Sequence, residues 1–334
     1  MTRFEALLAL LKKTKARSVI LLCHQNADPD AVCSAFALSK LLEKTMPQAR
    51  VQMAAPQGIS KMSRKILESI PAEVAASQLI EEADAVVLVD TNTLQQLGEW
   101  KSRIENSKKT LIVVDHHAAH PETEKVSSLQ IVDEHASSTC ELIAGLYNEA
   151  FVRPDSEEAL ALFLGMAYDT RHFSIATSNA FKVAAELVDS GVRAEDALPL
   201  LAMPLDSSER VARLKAASRL RIEKVGEWLL VLSNVSSHQA SAARALINVG
   251  AHVSVVAGKK GNKLRINMRS SMEFYLKTKI HLGRDVAEPL SRNFRGMGGG
   301  HSTSAGVNGE GEIEPAITEC IRLLRQSLSD AGSS

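Results

Sequence analysis

The feature that most constrains this chain is a set of short apolar runs, each ending in an acidic or imidazole side chain. The run LIVVDHHAAH, residues Leu111–His120, passes from four apolar residues directly into an aspartate and two histidines. SVILLCH ends at His24 and AVVLVD ends at Asp90 in the same way. Runs that are apolar throughout, without alternation, are typical of parallel strands covered on both faces.

Helical patterns lie between and after these runs, for example AVCSAFALSKLLEK and EEALALFLGMAYD. Strand–helix alternation over roughly the first 190 residues predicts an α/β fold with a mostly parallel sheet. Beyond it, WLLVLSNV and HVSVVAGKKGNKLRINMRSS predict a smaller α+β domain with a hairpin turn at KKGNK. We therefore expect an α/β domain over residues 1–195, a helical linker over 196–224 and an α+β domain over 225–330.

Charge and cysteine content restrict the classes of function. The chain has 39 basic and 39 acidic side chains, which disfavours a general coat for nucleic acid or anionic membranes. Between Ala251 and Ala305, however, ten Lys/Arg stand against three Asp/Glu, and such a basic lobe suits a phosphate-bearing ligand. The four cysteines form no CxxC pair, which suits a reducing compartment. No apolar run approaches the roughly 20 residues of a membrane span, so we expect a cytoplasmic protein without membrane association.

Acidic and imidazole side chains stand at the ends of several predicted elements and are candidates for a metal site. They are His24, Asp28, Asp90, Asp115, His116, His117 and Asp169. Because the carboxyl ends of parallel strands share one edge, three of the segments that carry these residues can converge in one crevice. Carboxylates with imidazoles suit Mn²⁺ or Mg²⁺ better than Zn²⁺, and five or six ligands suffice for two ions. Taken singly, Asp28 is explained as a helix cap before Pro29, and His24 is explained as an interior histidine. Their occurrence together with the other residues favours a metal site.

These segments resemble a known family. HQNADPDAVCS, VVLVDTN, VVDHHAAH and GMAYDTRHF are similar to the four successive motifs of the DHH phosphoesterases, and RGMGGGHSTSAG resembles the GGGH signature of the associated DHHA1 domain. The resemblance covers essentially the whole chain, and the length is similar to that of the nanoRNase (oligoribonuclease)/pAp-phosphatase branch. It implies a DHH domain followed by a DHHA1 domain, with the active site in the cleft between them.

The resemblance also implies a role for each motif residue. His24 and Asp28 would hold one ion, Asp90 would bridge both, and Asp30, His116 and Asp169 would complete the second ion's ligands. Asp115 would orient a ligand, while His117, free of metal, would face the scissile phosphate as a charge stabiliser or general acid. The chain departs from the family pattern at Arg171 and His172, where a small residue often follows DT. It also has Ala27 where proline is frequent.

The basic lobe contains the candidate substrate-binding residues. In KLRINMRSS, alternation predicts that Leu264, Ile266 and Met268 face a core, while Arg265, Asn267 and Arg269 share the opposite face. The glycines Gly298, Gly299 and Gly300 predict a loop whose backbone approaches an anion. By the resemblance, Arg269 and His301 would grip the non-scissile phosphate or terminal nucleotide. The run SSTCELI predicts only a helix start, with Ser138 and Glu141 as a capping box.

The function that the resemblance implies is two-metal hydrolysis of short oligonucleotides to nucleoside monophosphates, with Mn²⁺ as the most suitable ion. Activity on 3′-phosphoadenosine 5′-phosphate and on linearised cyclic dinucleotides is a further expectation, and a homodimer is plausible for this branch. The alternatives are a RecJ-like exonuclease on longer strands, an inorganic pyrophosphatase, and a nucleotide-binding protein with a vestigial site. Thirteen aromatic residues in the chain argue against extended base-stacking platforms, and the filled ligand positions argue against a vestigial site.

Overall fold

Six parallel strands form the sheet of the first unit. The computed structural model describes residues 1–75, 80–202 and 204–332, and it divides the chain into two units, Met1–Met203 and Pro204–Ser334. The strands of the first unit are β1 Ser18–Leu22, β2 Arg50–Ala54, β3 Val74–Ala75, β4 Ala85–Val89, β5 Thr110–Asp115 and β6 Leu129–Val132. Their order is β3-β2-β1-β4-β5-β6, and every neighbouring pair is parallel. The predicted mostly parallel sheet is confirmed.

Helices cover both faces of this sheet. They are α1 Arg3–Lys13, α2 Pro29–Thr45, α3 Lys61–Ile66, α4 Lys101–Glu105, α5 Pro121–Val126, α6 Thr139–Glu149, α7 Ser156–Asp169, α8 Ser178–Asp189 and α9 Ala194–Ala197, with 3-10 segments at Leu94–Trp100 and Leu198–Leu201. Leu21 and Val87 pack into one core, and Leu22 and Leu88 into the other, all without exposed surface. Full burial of such a side chain contributes about 1.5–3 kcal/mol, which explains why these runs do not alternate.

The strand order places the carboxyl ends of β1 and β4 side by side. The chain leaves β1 toward β2 on one side, whereas β4 and β5 lie on the other side of β1. A reversal of this kind opens a crevice at the carboxyl ends of the strands, because the connections on the two sides diverge. The acidic and imidazole residues that follow β1, β4 and β5 therefore meet at one edge.

The second unit is built on a separate, mostly antiparallel sheet. Its strands are β7 Arg221–Val225, β8 Trp228–Asn234, β9 Val253–Lys260, β10 Lys263–Ser270, β11 Met297–His301 and β12 Ser304–Glu310, in the order β11-β12-β10-β9-β8-β7. Only β8 and β9 pair in parallel. Its helices are α10 Ser207–Ser218, α11 Gln239–Asn248, α12 Met272–Thr278, α13 Glu288–Asn293 and α14 Ile313–Gly332, with a π-helical turn at Leu282–Ala287.

The hairpin and the alternation predicted for this unit are confirmed. β9 and β10 pair antiparallel around Gly261 and Asn262, and Leu264, Ile266 and Met268 are buried in the unit's core. The glycine run differs from expectation, since it forms the edge strand β11 and not a loop. The segment 196–224, predicted as a helical linker, contains the end of the first unit, helix α10 and most of strand β7. In the part of the chain that the structure describes, no helix combines the length and apolar character needed to cross a membrane.

Candidate metal centre

His24, Asp28 and Asp90 form the first group of potential ligands. His24 lies just beyond β1, and its Nε2 is 3.8 Å from Asp28 Oδ1 and 3.9 Å from Asp90 Oδ2. Asp28 caps helix α2 by accepting a hydrogen bond from the Ala31 N–H at 3.2 Å, and Pro29 occupies the first helical position, both as predicted. The helix start thus fixes one carboxylate opposite the histidine that follows β1.

Asp30, His116 and Asp169 form the second group. His116 follows β5, Asp169 is the last residue of α7, and His116 Nε2 lies 3.3 Å from Asp169 Oδ2. Asp30 is fully buried in the first turn of α2. Ligand atoms of these three residues lie within 4.8 Å of one another, as do those of the first group.

Asp90 joins the two groups. Its Oδ1 is 3.7 Å from His116 Nε2, while its Oδ2 faces His24. The backbone of Asp90 is left-handed, with φ of 53°, and its N–H donates to the Val114 carbonyl at 3.0 Å. Aspartate tolerates this conformation better than most residues, and such backbone strain is concentrated at functional sites. The carboxylate predicted to bridge two ions is therefore the one that contacts both groups.

The start of helix α6 holds two of these carboxylates, which the sequence analysis missed. Thr139 N–H and Cys140 N–H donate to the two oxygens of Asp30 at 2.7 and 3.0 Å, and Thr139 Oγ1 donates to Asp90 at 2.8 Å. Ser138 caps the helix as predicted, but the carboxylate of Glu141 accepts from Ser137 and not from Ser138. The available signal was the helix start itself, whose first N–H groups always need acceptors.

Asp115 orients His117. One oxygen, Asp115 Oδ1, accepts from the backbone N–H of His117 and contacts its Nδ1, each at 2.8 Å. The His117 side chain is 51% exposed, whereas that of Asp115 is fully buried. Asp115 thus contacts the histidine expected to face the substrate, and Nε2 of that histidine remains available for another group.

Burial and like charges oppose ionisation of two carboxylates of the metal-free site, Asp90 and Asp30. Burial, with the negative charges of Asp115 and Asp28, raises the pKa of Asp90 to about 7. Burial, with Asp90 and Asp169, raises the pKa of Asp30 well above its ordinary value. Burial acts to lower the pKa of His24, but its contact with Asp28 outweighs this and raises the pKa to about 9. A cation between these groups would remove the cost.

One buried ligand atom tests whether the site fits metal. His116 Nε2 is buried and has no hydrogen-bond partner among the described residues, although Asp169 lies at ion-pair distance from it. Unsatisfied buried polar atoms are costly and rare, and they are expected where an ion is missing. The donor set is carboxylate and imidazole without thiolate, which suits Mn²⁺ or Mg²⁺. The residues therefore fit divalent cations, and His24, Asp28, Asp30, Asp90, His116 and Asp169 are those that would hold them.

Four of the six predicted substrate-binding residues of the second unit, Arg265, Arg269, Gly299 and His301, lie on one side of its sheet. Arg265, Asn267 and Arg269 of β10 lie opposite Asn308, Gly306 and Ser304 of β12, which in turn lie opposite Met297, Gly299 and His301 of β11. Residues directly opposite in antiparallel strands share a face. We call this surface the open face, because its Met297, Arg265 and His301 are exposed.

The three glycines have different roles. A Cβ on Gly298 would lie 2.1 Å from the carbonyl oxygen of Ala287. A Cβ on Gly300 would lie 2.3 Å from the carbonyl oxygen of Ser304, so packing requires glycine at both positions. Gly299 has nothing within 4 Å of that position and leaves the backbone of the open face accessible. Arg244 of α11 was not singled out from the sequence. Burial is the larger cause that lowers the pKa of Arg269, and the positive charge of Arg244 lowers it further.

Known proteins resemble the chain along most of its length. The sequence profile of the DHH family, N-terminal domain, matches residues 18–166. An uncharacterised protein of Methanocaldococcus jannaschii is 33% identical over 90% of this chain and 89% of its own length. The probable bifunctional oligoribonuclease and PAP phosphatase NrnA of Streptococcus mutans is 26% identical over 97% of this chain and 100% of its own length.

A solved structure shares the fold. An exopolyphosphatase-related protein from Bacteroides fragilis superimposes with a TM-score of 0.63 over 98% of each chain, at 19% sequence identity. Together with the sequence matches, the DHH motif at the end of β5 and the convergence of the motif residues around Asp90 confirm the predicted resemblance. This chain belongs to the DHH phosphoesterase family.

Proposed function

We propose that the chain is a metal-dependent phosphodiesterase that releases nucleoside monophosphates from short oligonucleotides. The observation that supports it most is the pair of ligand groups joined at Asp90, one containing His24 and Asp28 and the other Asp30, His116 and Asp169. Two such groups sharing a carboxylate are the arrangement expected for paired ions. Bound there, divalent ions would activate water and neutralise charge on the phosphate.

His117 would act on the phosphate directly. Its hydrogen bond to Asp115 raises its pKa, although burial opposes the effect, and the raised pKa favours the protonated ring. The contact fixes Nδ1 against Asp115 and leaves Nε2 to donate a proton to the leaving oxygen or to stabilise its charge. This arrangement supports the charge-stabiliser or general-acid role that the motif implies.

The open face would supply the substrate contacts. Burial and the charge of Arg244 both lower the pKa of Arg269, and a bound phosphate would relieve that repulsion. Arg265, Gly299 and His301 lie on the same face, and Arg265 stands four residues from Arg269 along β10. Cations spread along a strand in this way suit a nucleotide better than the smaller pyrophosphate. The relative from Streptococcus mutans bears the name of a probable oligoribonuclease and PAP phosphatase, which supports short substrates and 3′-phosphoadenosine 5′-phosphate for this chain.

The finer expectations remain proposals. They are Mn²⁺ as the ion, a location in the cytoplasm, and a homodimer. The domain boundaries at 195 and 225 and the roles of the individual ligands also remain predictions.

The test is a product time course on end-labelled RNA and DNA, from dinucleotides to strands of about twenty nucleotides, with Mn²⁺ present. We expect rapid conversion of strands of about two to five nucleotides to mononucleotides and slow attack on strands near twenty nucleotides. Preferential cleavage of the long strands would favour a RecJ-like exonuclease. Faster release of phosphate from pyrophosphate would favour a pyrophosphatase, and no turnover of any substrate would favour a binding protein.

A further inference from the structure

A basic groove lies on the second unit at the Arg265 end of the open face. Two adjoining cavities of about 570 and 420 Å³ share His238, Gln239, Arg265 and Asn308 as lining residues. These volumes are in the range of ligand sites. Five cationic side chains and one carboxylate line the larger cavity; they are Lys259, Lys260, Lys263, Arg265, Arg295 and Glu310. We call this set the far groove.

Most of these cations are not neutralised within the protein. Lys259 pairs with Glu312, and Arg265 donates to Asn308 Oδ1 at 3.1 Å. Lys260, Lys263 and Arg295 are exposed and form no ion pair with another described residue. The chain as a whole has a formal charge of zero, so a local excess of this kind is not a property of its general composition. It raises the local concentration of anions.

Backbone geometry presents these side chains to the groove. Lys260 and Lys263 flank the β9–β10 turn and lie opposite each other, and Arg295 has a left-handed backbone with φ of 46°. A non-glycine residue in that conformation is uncommon, so the backbone that carries the Arg295 side chain is held by its surroundings. The cations therefore come from two separate segments that meet at one cavity.

The far groove is too distant from Arg269 to bind the same phosphate. Arg265 and Arg269 are four residues apart on β10, which places their Cα atoms about 13 Å apart. Both belong to the open face, so a single extended anion could contact both ends. A chain of nucleotides linked by phosphates has this property, whereas a mononucleotide is too short.

We propose that the far groove is a second phosphate subsite, which binds the backbone of an oligonucleotide beyond the nucleotide held near Arg269. This inference rests on the proposed function and extends it. It implies that affinity rises with strand length up to the reach of the groove. The groove therefore favours substrates of several nucleotides over dinucleotides and mononucleotide bisphosphates.

The test compares Lys260→Gln/Lys263→Gln with a control of equal charge change, Lys224→Gln/Lys279→Gln. Lys224 lies on β7, at the opposite edge of the sheet, and Lys279 follows α12, which packs on the opposite face. The measurement is kcat/KM for a pentanucleotide divided by kcat/KM for a dinucleotide. We expect this ratio to fall about tenfold in the groove variant and to stay at the wild-type value in the control. An unchanged ratio in the groove variant would overturn the subsite.

A second measurement separates this proposal from the proposed function. Binding of a labelled pentanucleotide is followed by fluorescence anisotropy in EDTA at several salt concentrations, where no hydrolysis is required. Losing two phosphate contacts should reduce the slope of log Kd against log salt by about 1.4. The wild-type slope in the groove variant would contradict the proposal even if the enzyme is active. Equal displacement of the label by inorganic tripolyphosphate would show that the groove does not select oligonucleotides and would overturn the assignment.

Discussion

At the scale of single residues, Thr139 shows how one hydroxyl supports the metal centre. Its Oγ1 donates to Asp90 at 2.8 Å, and this hydrogen bond lowers the pKa of Asp90 against the larger opposing effect of burial. Its backbone N–H holds Asp30 as well. Groups that orient metal ligands in this way commonly contribute a factor of about 10–100 to metal affinity.

Thr139→Val should therefore weaken Mn²⁺ binding by about 10–100-fold, because the isosteric side chain fills the same volume but cannot donate to Asp90. Titration calorimetry with Mn²⁺ measures the affinity directly. Thr139→Ser retains the hydroxyl and serves as the matched control, with affinity close to that of the wild type. Equal affinities in the valine and serine variants would show that the hydroxyl has no part in metal binding.

At the scale of elements, the carboxyl ends of the parallel strands collect negative charge that the protein alone does not compensate. In the metal-free chain, the folded-state pKa of Asp90 is about 7, above its ordinary value of 3.8. Between these values the folded chain binds a proton that the unfolded chain has released. The corresponding stability is complete below pH 3.8 and is lost as the pH rises to about 7. The pKa of His24 is raised to about 9 from its ordinary value of 6.5. The stability that this histidine contributes is therefore also lost as the pH rises, but between pH 6.5 and about 9.

Asp90→Asn should make the metal-free protein less sensitive to pH. The wild type in EDTA should lose at most about 4 kcal/mol through Asp90 between these two pKa values, since one pKa unit corresponds to about 1.4 kcal/mol. Urea unfolding at a series of pH values measures the free energy of unfolding. The exposed Asp189→Asn variant is the control and should follow the wild type. A decline in Asp90→Asn as steep as in the wild type would show that the burial of this carboxylate does not cause the pH dependence.

At the scale of the whole molecule, the two units differ in how far the sequence predicted them. The apolar runs SVILL, AVVLV and TLIVVD specified β1, β4 and β5, because strands covered on both faces have no polar positions. The short edge strands β3 and β6 gave no comparable signal. The contact of Thr139 with Asp90 joins residues 49 positions apart, so no local pattern could show it. The run Gly298–Gly300 predicts a loop. Its packing against Ala287 and Ser304 is a tertiary contact, which no local sequence pattern shows.

The most direct test of the central claim is to measure bound Mn²⁺ and dinucleotide turnover in the wild type and in His116→Ala. His135→Ala, which removes an exposed histidine outside the proposed ligand set, is the control. We expect two ions per chain and hydrolysis in the wild type and the control. His116→Ala should lose the ion held with Asp30 and Asp169, and its turnover should fall by about 100-fold or more. Undiminished turnover in His116→Ala, or a wild type that leaves dinucleotides intact with Mn²⁺, would contradict the account.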